Sequence, residues 1–194
     1  GMPGTTSAAV RALAWDGSKL FIGGSFNGVN WHDGSSAQTY GYQYMVAWSP
    51  TSISWPIADG LWYDAGASMD GAVYSLNYVN GRGIYVGGAF TTVAGITVNR
   101  AALMSTQFGP ATWGPLPPTS SPEMGLNATV YSIKYYASNN SVITGGEFTI
   151  AQEANSSVTT NRVAYFGLNT WYPLKETVLP YGVKPGGWMP AKIY

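Results

Sequence analysis

The sequence predicts an all-β protein built from three four-stranded antiparallel units, and three observations carry that prediction. One pattern is written three times: VRALAWDGSKLFIGGSF at Val10–Phe26, VYSLNYVNGRGIYVGGAF at Val73–Phe90 and VYSIKYYASNNSVITGGEF at Val130–Phe148. The glycine pairs at 23/24, 87/88 and 145/146 keep step with evenly spaced tryptophan elements, Trp55-Pro56-Ile57, Trp113-Gly114-Pro115-Leu116 and Trp171-Tyr172-Pro173-Leu174. No stretch of about ten residues or more follows a 3.6-residue period, so helix is expected to be near absent. A repeat of this length is one supersecondary unit that cannot bury its apolar face alone.

The middle copy shows the grammar. Val73–Val79 is rich in β-branched and aromatic residues and reads as a strand. Asn80-Gly81-Arg82-Gly83 follows, and Asn-Gly between apolar runs is a strong hairpin signal because both residues tolerate positive φ. Ile84–Phe90 is the second strand, and a glycine pair inside a strand signals a bulge or a close backbone approach. A polar, turn-rich segment runs from Thr91 to Val98, and Asn99–Met104 reads as the third strand. After a turn at Gly109-Pro110, Thr112–Leu116 is a short fourth strand. Its proline cannot donate to a ladder, which makes this strand an edge.

The other copies vary the loops. In the third, Ala137-Ser138-Asn139-Asn140 replaces the hairpin turn and Thr160–Tyr165 is the third strand. In the first, Asp16-Gly17-Ser18 makes the turn, a longer insertion spans Gly28–Tyr42, and Tyr44–Trp48 is the third strand. Arg100 and Arg162 follow an Asn in equivalent positions, and Met45 aligns with them in the first copy. Each guanidinium is expected to bond loop carbonyls of a neighbouring unit. The repeat region covers residues 1–174, with units at about 5–57, 68–116 and 125–174, and 175–194 reads as a proline- and glycine-rich extended arm.

Four antiparallel strands with a proline-bearing outer strand describe a blade of a β-propeller. In that arrangement Phe26, Phe90 and Phe148, with Trp55, Trp113 and Trp171, pack between neighbouring blades. Propellers close with about four to eight blades. Three therefore imply a partial propeller, as part of a longer protein, or half of a six-bladed assembly. A three-sided β-prism is the alternative.

The pattern V-x-x-L … I-Y-V-G-G-x-F-T … N-R-x-A … W-x-P-L resembles kelch and galactose-oxidase-like propeller repeats of the Gly-Gly-x-Phe type. It is similar to those of fungal cortical-marker surface glycoproteins and of repeat proteins from bacteria and large DNA viruses. The resemblance spans about Val10–Leu174 and implies surface display and scaffolding without a shared active site. The copper site of galactose oxidase has no counterpart, since the chain has no Cys and one His.

Composition narrows the function classes. Charged residues make up 9% of the chain, against about 25% in ordinary domains, and the net charge is +0. No basic face offers itself to phosphates, which excludes nucleic acid as an expected partner. Without cysteine there is neither a disulfide framework nor a thiolate metal site. No apolar run approaches the roughly 20 residues of a membrane helix, so membrane insertion by this segment is not expected. Gly1–Thr5 shows neither the basic start nor the apolar run of a signal peptide, which fits a processed piece or the ordered part of something longer. Asn127-Ala-Thr129, Asn139-Asn-Ser141 and Asn155-Ser-Ser157 are glycosylation sequons in expected loops.

No catalytic constellation stands out, and no catalytic, cofactor-binding or metal residue is assigned. His32 neighbours Asp33, but adjacent residues on an extended chain point apart. The nine carboxylates are scattered. Asp16, Asp64 and Asp70 lack the spacing of a calcium loop, and Glu147 stands where the other copies have Ser25 and Ala89. The reading is a non-enzymatic structural or display module of an extracellular, virion or cell surface, acting through assembly with other copies of itself or further propeller repeats. A glycan-binding module is the first alternative, because Trp and Tyr stack on sugar faces. A fragment of a polysaccharide-acting enzyme, which needs two facing carboxylates, is the second.

Overall fold

The computed structural model describes residues 8–32, 37–51, 60–105, 111–116, 125–153 and 156–174. The first repeat comprises β1 (Ala9–Trp15), β2 (Leu20–Ser25), β3 (Val29–His32), β4 (Ala37–Tyr40), β5 (Met45–Pro50) and β6 (Gly60–Asp64). The second comprises β7 (Val73–Val79), β8 (Gly83–Gly88), β9 (Thr92–Val93), β10 (Ile96–Thr97), β11 (Ala101–Ser105) and β12 (Thr112–Pro115). The third comprises β13 (Gly125–Leu126), β14 (Val130–Tyr136), β15 (Ser141–Gly146), β16 (Ile150–Glu153), β17 (Ser156–Thr159), β18 (Val163–Gly167) and β19 (Thr170–Pro173). The described residues contain no α-helix, only a 3-10 turn at Ala137–Asn139. None of them forms a helix long and apolar enough to cross a membrane.

Each repeat forms a four-stranded antiparallel sheet, in the orders β1-β2-β5-β6, β7-β8-β11-β12 and β14-β15-β18-β19. Pro115 and Pro173 sit on β12 and β19, outer strands with one neighbour each, where a missing N–H costs no ladder bond. The polar segments expected as loops between second and third strands fold into small hairpins, β3–β4, β9–β10 and β16–β17, the last extended by β13.

Two expectations need correction. The fourth strand of the first sheet is Gly60–Asp64, which pairs with β5 and sets Trp62 opposite Trp48. Trp62 thus matches Trp113, opposite Met104, and Trp171, opposite Phe166. The first unit therefore runs past the expected end at about residue 57, and Trp55-Pro56-Ile57 lies outside the described residues. Nor do the third strands begin at Asn-Arg. Asn99 and Arg100 have φ of 42° and 79°, Asn161 and Arg162 of 44° and 76°. These left-handed residues form a turn, and the ladders start at Ala101 and Val163. The residue matching the two arginines is Tyr44 (φ 61°), not Met45. All three N–H groups donate to the carbonyl of the preceding motif phenylalanine: Tyr44 to Phe26, Arg100 to Phe90 and Arg162 to Phe148.

The glycine pairs serve both uses that glycine in a strand signals. Opposite them the first strand bulges, between Val10 and Ala12, Val73 and Ser75, and Val130 and Ser132. The second glycine admits a backbone: a Cβ at Gly24, Gly88 or Gly146 would meet the carbonyl oxygen of Ala9, Ala72 or Thr129 at 2.0, 2.2 and 2.0 Å. The first glycine admits the next sheet. A Cβ at Gly23 would lie 2.4 Å from Val73 Cγ1, and one at Gly87 2.6 Å from Val130 Cγ1.

The core follows that stacking. Phe21, Met45 and Ala47 of the first sheet pack with Val73, Val86, Phe90 and Met104 of the second. Tyr85 and Ala101 of the second pack with Val130, Ile133, Phe166 and Trp171 of the third. A smaller cluster of Ile22, Phe26, Val29 and Val46 backs the first sheet. Strand β7 packs against both β1 and β14, so the first strands of the sheets lie side by side.

Candidate functional site

The inter-sheet contact is the repeated device of this molecule, and among the described residues it leaves two faces open. Val73 and Val130 are fully buried and Ile133 is 2% exposed, each seated on the preceding sheet. Among the described residues no sheet stands before their counterparts on β1: Val10 is 49% exposed, Leu13 59% and Trp15 49%. At the other end, Gly145 holds the position that Gly23 and Gly87 hold in their repeats. Among the described residues, the nearest atom a Cβ there would meet is the Arg162 carbonyl oxygen, at 3.9 Å. Ile143, Val163 and Tyr165, which share that face by register, are only half-buried. Opposite ends of the array thus carry an apolar projection and an apolar recess.

A polar and aromatic ladder runs across the first strands. The Arg11 guanidinium lies 5.5 Å from the Tyr74 ring centroid, Tyr74 meets Tyr131 edge-on at 5.2 Å, and the Tyr131 hydroxyl donates to Glu147 Oε1 at 2.8 Å. Arg11, Tyr74 and Tyr131 each follow the motif valine of their strand, so one repeat position links three sheets. Donation to Glu147 raises the pKa of the Tyr131 phenol, with smaller contributions from burial and from the Glu147 charge. Lower on the same strands, Ser75 Oγ accepts from the Ile133 N–H at 3.1 Å and Asn77 Oδ1 from the Tyr135 N–H at 2.6 Å.

The arginines of the Asn-Arg turns are local braces. Arg100 Nη1 donates to the Ala89 carbonyl, and Arg162 Nη1 to that of Glu147 at 3.4 Å. Both carbonyls belong to the arginine's own repeat rather than to a neighbouring unit as expected. The three scattered aspartates cap separate turns. Asp16 accepts from the N–H groups of Ser18 and Lys19, Asp64 from Gly66 and Ala67, and Asp70 from Thr91 and Thr92. His32 ends β3 opposite Ala37. Among the described residues no three His, Asp or Glu side chains come together as a metal-binding group.

Asn127 and Asn139 are both exposed. Asn127 Oδ1 accepts from the N–H groups of Thr149 and Ile150 at 2.9 and 3.1 Å, the same brace that Asp70 makes in the second repeat. Asn139 closes the 3-10 turn and accepts from Ser141 Oγ at 2.5 Å. Asn155 lies outside the described residues, as does the 175–194 arm. Asn139 also borders a cleft of about 520 Å³ between the second and third sheets, lined among others by Arg82, Tyr85, Trp113, Asn140 and Asn169. In it Arg82 lies 5.0 Å from the Tyr135 ring centroid, and that ring stacks on Tyr85.

No family model, curated protein or solved structure matches this chain.

Proposed function

We propose that the chain is a non-enzymatic structural or display module of an extracellular, virion or cell surface, and that it works by assembly through the open ends of a β-propeller arc. The supporting observation is the exposure of Val10, Leu13 and Trp15, whose repeat counterparts seat on a neighbouring sheet. Solvent-facing apolar strands of this kind mark an interaction face. The side-by-side first strands, with outer strands at the far edge, support consecutive propeller blades. A β-prism would bring β1 against β14, whereas the packing seen runs from β1 to β7 and from β7 to β14.

Low charge and the sequons at Asn127, Asn139 and Asn155 support a surface location. Antibody raised against the chain tests it on intact source particles or cells. Labelling without permeabilisation is expected, and a signal that appears only after lysis would overturn the surface reading.

The cleft beside Trp113 favours a second reading, a glycan-binding module. Indole and phenol faces stack on sugars while amides bond hydroxyls. Retention on a glycan array that Trp113→Ala abolishes would support it.

A further inference from the structure

We infer that the recess at Gly145 receives the β1 strand of a second copy of this chain, and that two copies close head to tail into a ring of six sheets. The inference rests on the propeller reading above and names the partner that reading requires. Its template lies inside the chain twice. Val73 seats on Gly23, Val130 seats on Gly87, and only glycine leaves room for the valine methyl groups. Among the described residues no sheet seats against Val10 at one end and no side chain seats on Gly145 at the other, so one polypeptide carries both halves of the same joint.

The neighbouring positions agree. Tyr85 stacks on Tyr135, and their counterparts at the open joint are Ile143 on the recess and Trp15 on the projection. Charge is complementary as well. The position after the motif valine touches its equivalent at both internal joints, Arg11 to Tyr74 and Tyr74 to Tyr131, so at the new joint Tyr131, whose hydroxyl already bonds the Glu147 carboxylate, meets the second copy's Arg11. A cation arrives where an anion waits, at a position occupied by tyrosine alone in the middle repeat. Head-to-tail contact of a chain with its copy gives either a closed ring or an open filament. Two copies supply six blades, within the range of about four to eight in which propellers close.

Sedimentation equilibrium of the full chain over a range of concentrations tests this. The expected mass is twice the 20.6 kDa of one chain, dissociating on dilution. Gly145→Val fills the recess and should leave one-chain mass with an unchanged near-ultraviolet spectrum. Arg11→Glu should weaken association at least tenfold, and adding Glu147→Arg should recover most of it, a readout that survives even if Gly145→Val folds poorly. Association untouched by a well-folded Gly145→Val, or a charge swap no better than the single variant, overturns the joint. One-chain mass at every concentration overturns the second copy as occupant and leaves further repeats of a longer polypeptide to cover both faces. The surface-labelling result does not depend on this stoichiometry, so the two readings fail separately.

Discussion

The side-chain oxygen of Asn77 accepts the backbone N–H of Tyr135 at 2.6 Å, tying the first strand of the second sheet to that of the third. With Ser75 and Ile133 it makes a two-bond seam. The first joint has no such seam, because Ala12 and Ala14 hold the matching positions on β1. Asn77→Ala would leave a partly buried N–H without an acceptor, a loss of about 1–3 kcal/mol. Urea unfolding should show the lower midpoint. An Asn77→Ala midpoint equal to that of the unmodified chain would mean that water replaces the amide at no cost.

The three first glycines of the pairs should respond differently to one substitution. Gly23→Ala and Gly87→Ala push a Cβ against Val73 and Val130, and overpacking of this kind costs about 1–3 kcal/mol. Among the described residues Gly145→Ala meets only the Arg162 carbonyl oxygen, at an ordinary contact distance of 3.9 Å, and its backbone is not left-handed. It should be neutral or stabilising by about 0.4–1 kcal/mol through the unfolded state. Thermal melts of dilute protein would compare the three, and equal losses at all positions would contradict the seating of one sheet on the next.

Much of this fold was legible because its signals are local. Alternating β-branched and aromatic residues, Asn-Gly turns and glycine pairs mark strands wherever they occur. What stayed hidden depends on partners. Val10 and Val130 stand in the same motif, yet one is exposed and the other buried, because burial is conferred by the sheet in front. The first outer strand, Gly60–Asp64, lacks the proline that marks β12 and β19, so no such signal points to it. Tyr44, the arginine counterpart, carries no mark in the sequence because a left-handed non-glycine residue leaves no compositional trace. The cleft beside Trp113 joins residues of two repeats, and no single motif announces it.

Asp70 and Asn127 make the same brace with and without charge, which predicts how acid acts. Burial alone would raise the Asp70 pKa, but the Thr91 hydroxyl and the N–H groups of Thr92 and Thr91 outweigh it and hold the carboxyl below 3.8. Asp16 is lowered in the same way against its own burial, by the N–H groups of Lys19 and Ser18. A depressed folded pKa stabilises the fold above the unfolded value and loses that contribution as pH falls through the folded one. Asp70→Asn should therefore keep the turn, as Asn127 does, and remove one acid-titrating contribution. The stability gap between the unmodified chain and the variant should be constant above about pH 5 and shrink below pH 3.8. A gap independent of pH would show that the carboxylate charge adds nothing to the brace.

The sequons separate by what their amides do. A glycan attaches to the side-chain nitrogen, so a modified Asn127 keeps the oxygen that braces Thr149 and Ile150. Asn127→Gln moves that oxygen by a methylene, which costs about 0.5–1.5 kcal/mol for each net hydrogen bond lost. Asn139→Gln should cost little, since Asn139 is exposed and its side-chain oxygen accepts from the neighbouring Ser141 hydroxyl rather than bracing a distant backbone segment. Expressed through a eukaryotic secretory route, each variant should lose one glycan by intact mass, and only Asn127→Gln should melt at lower temperature. The same experiment bears on the cleft. Asn139 stands at its edge beside Asn140, so a glycan there would screen Trp113 from a soluble sugar. Glycan-array retention should therefore rise in Asn139→Gln if the cleft binds sugar, and full retention by protein carrying a glycan at Asn139 would move the binding face elsewhere.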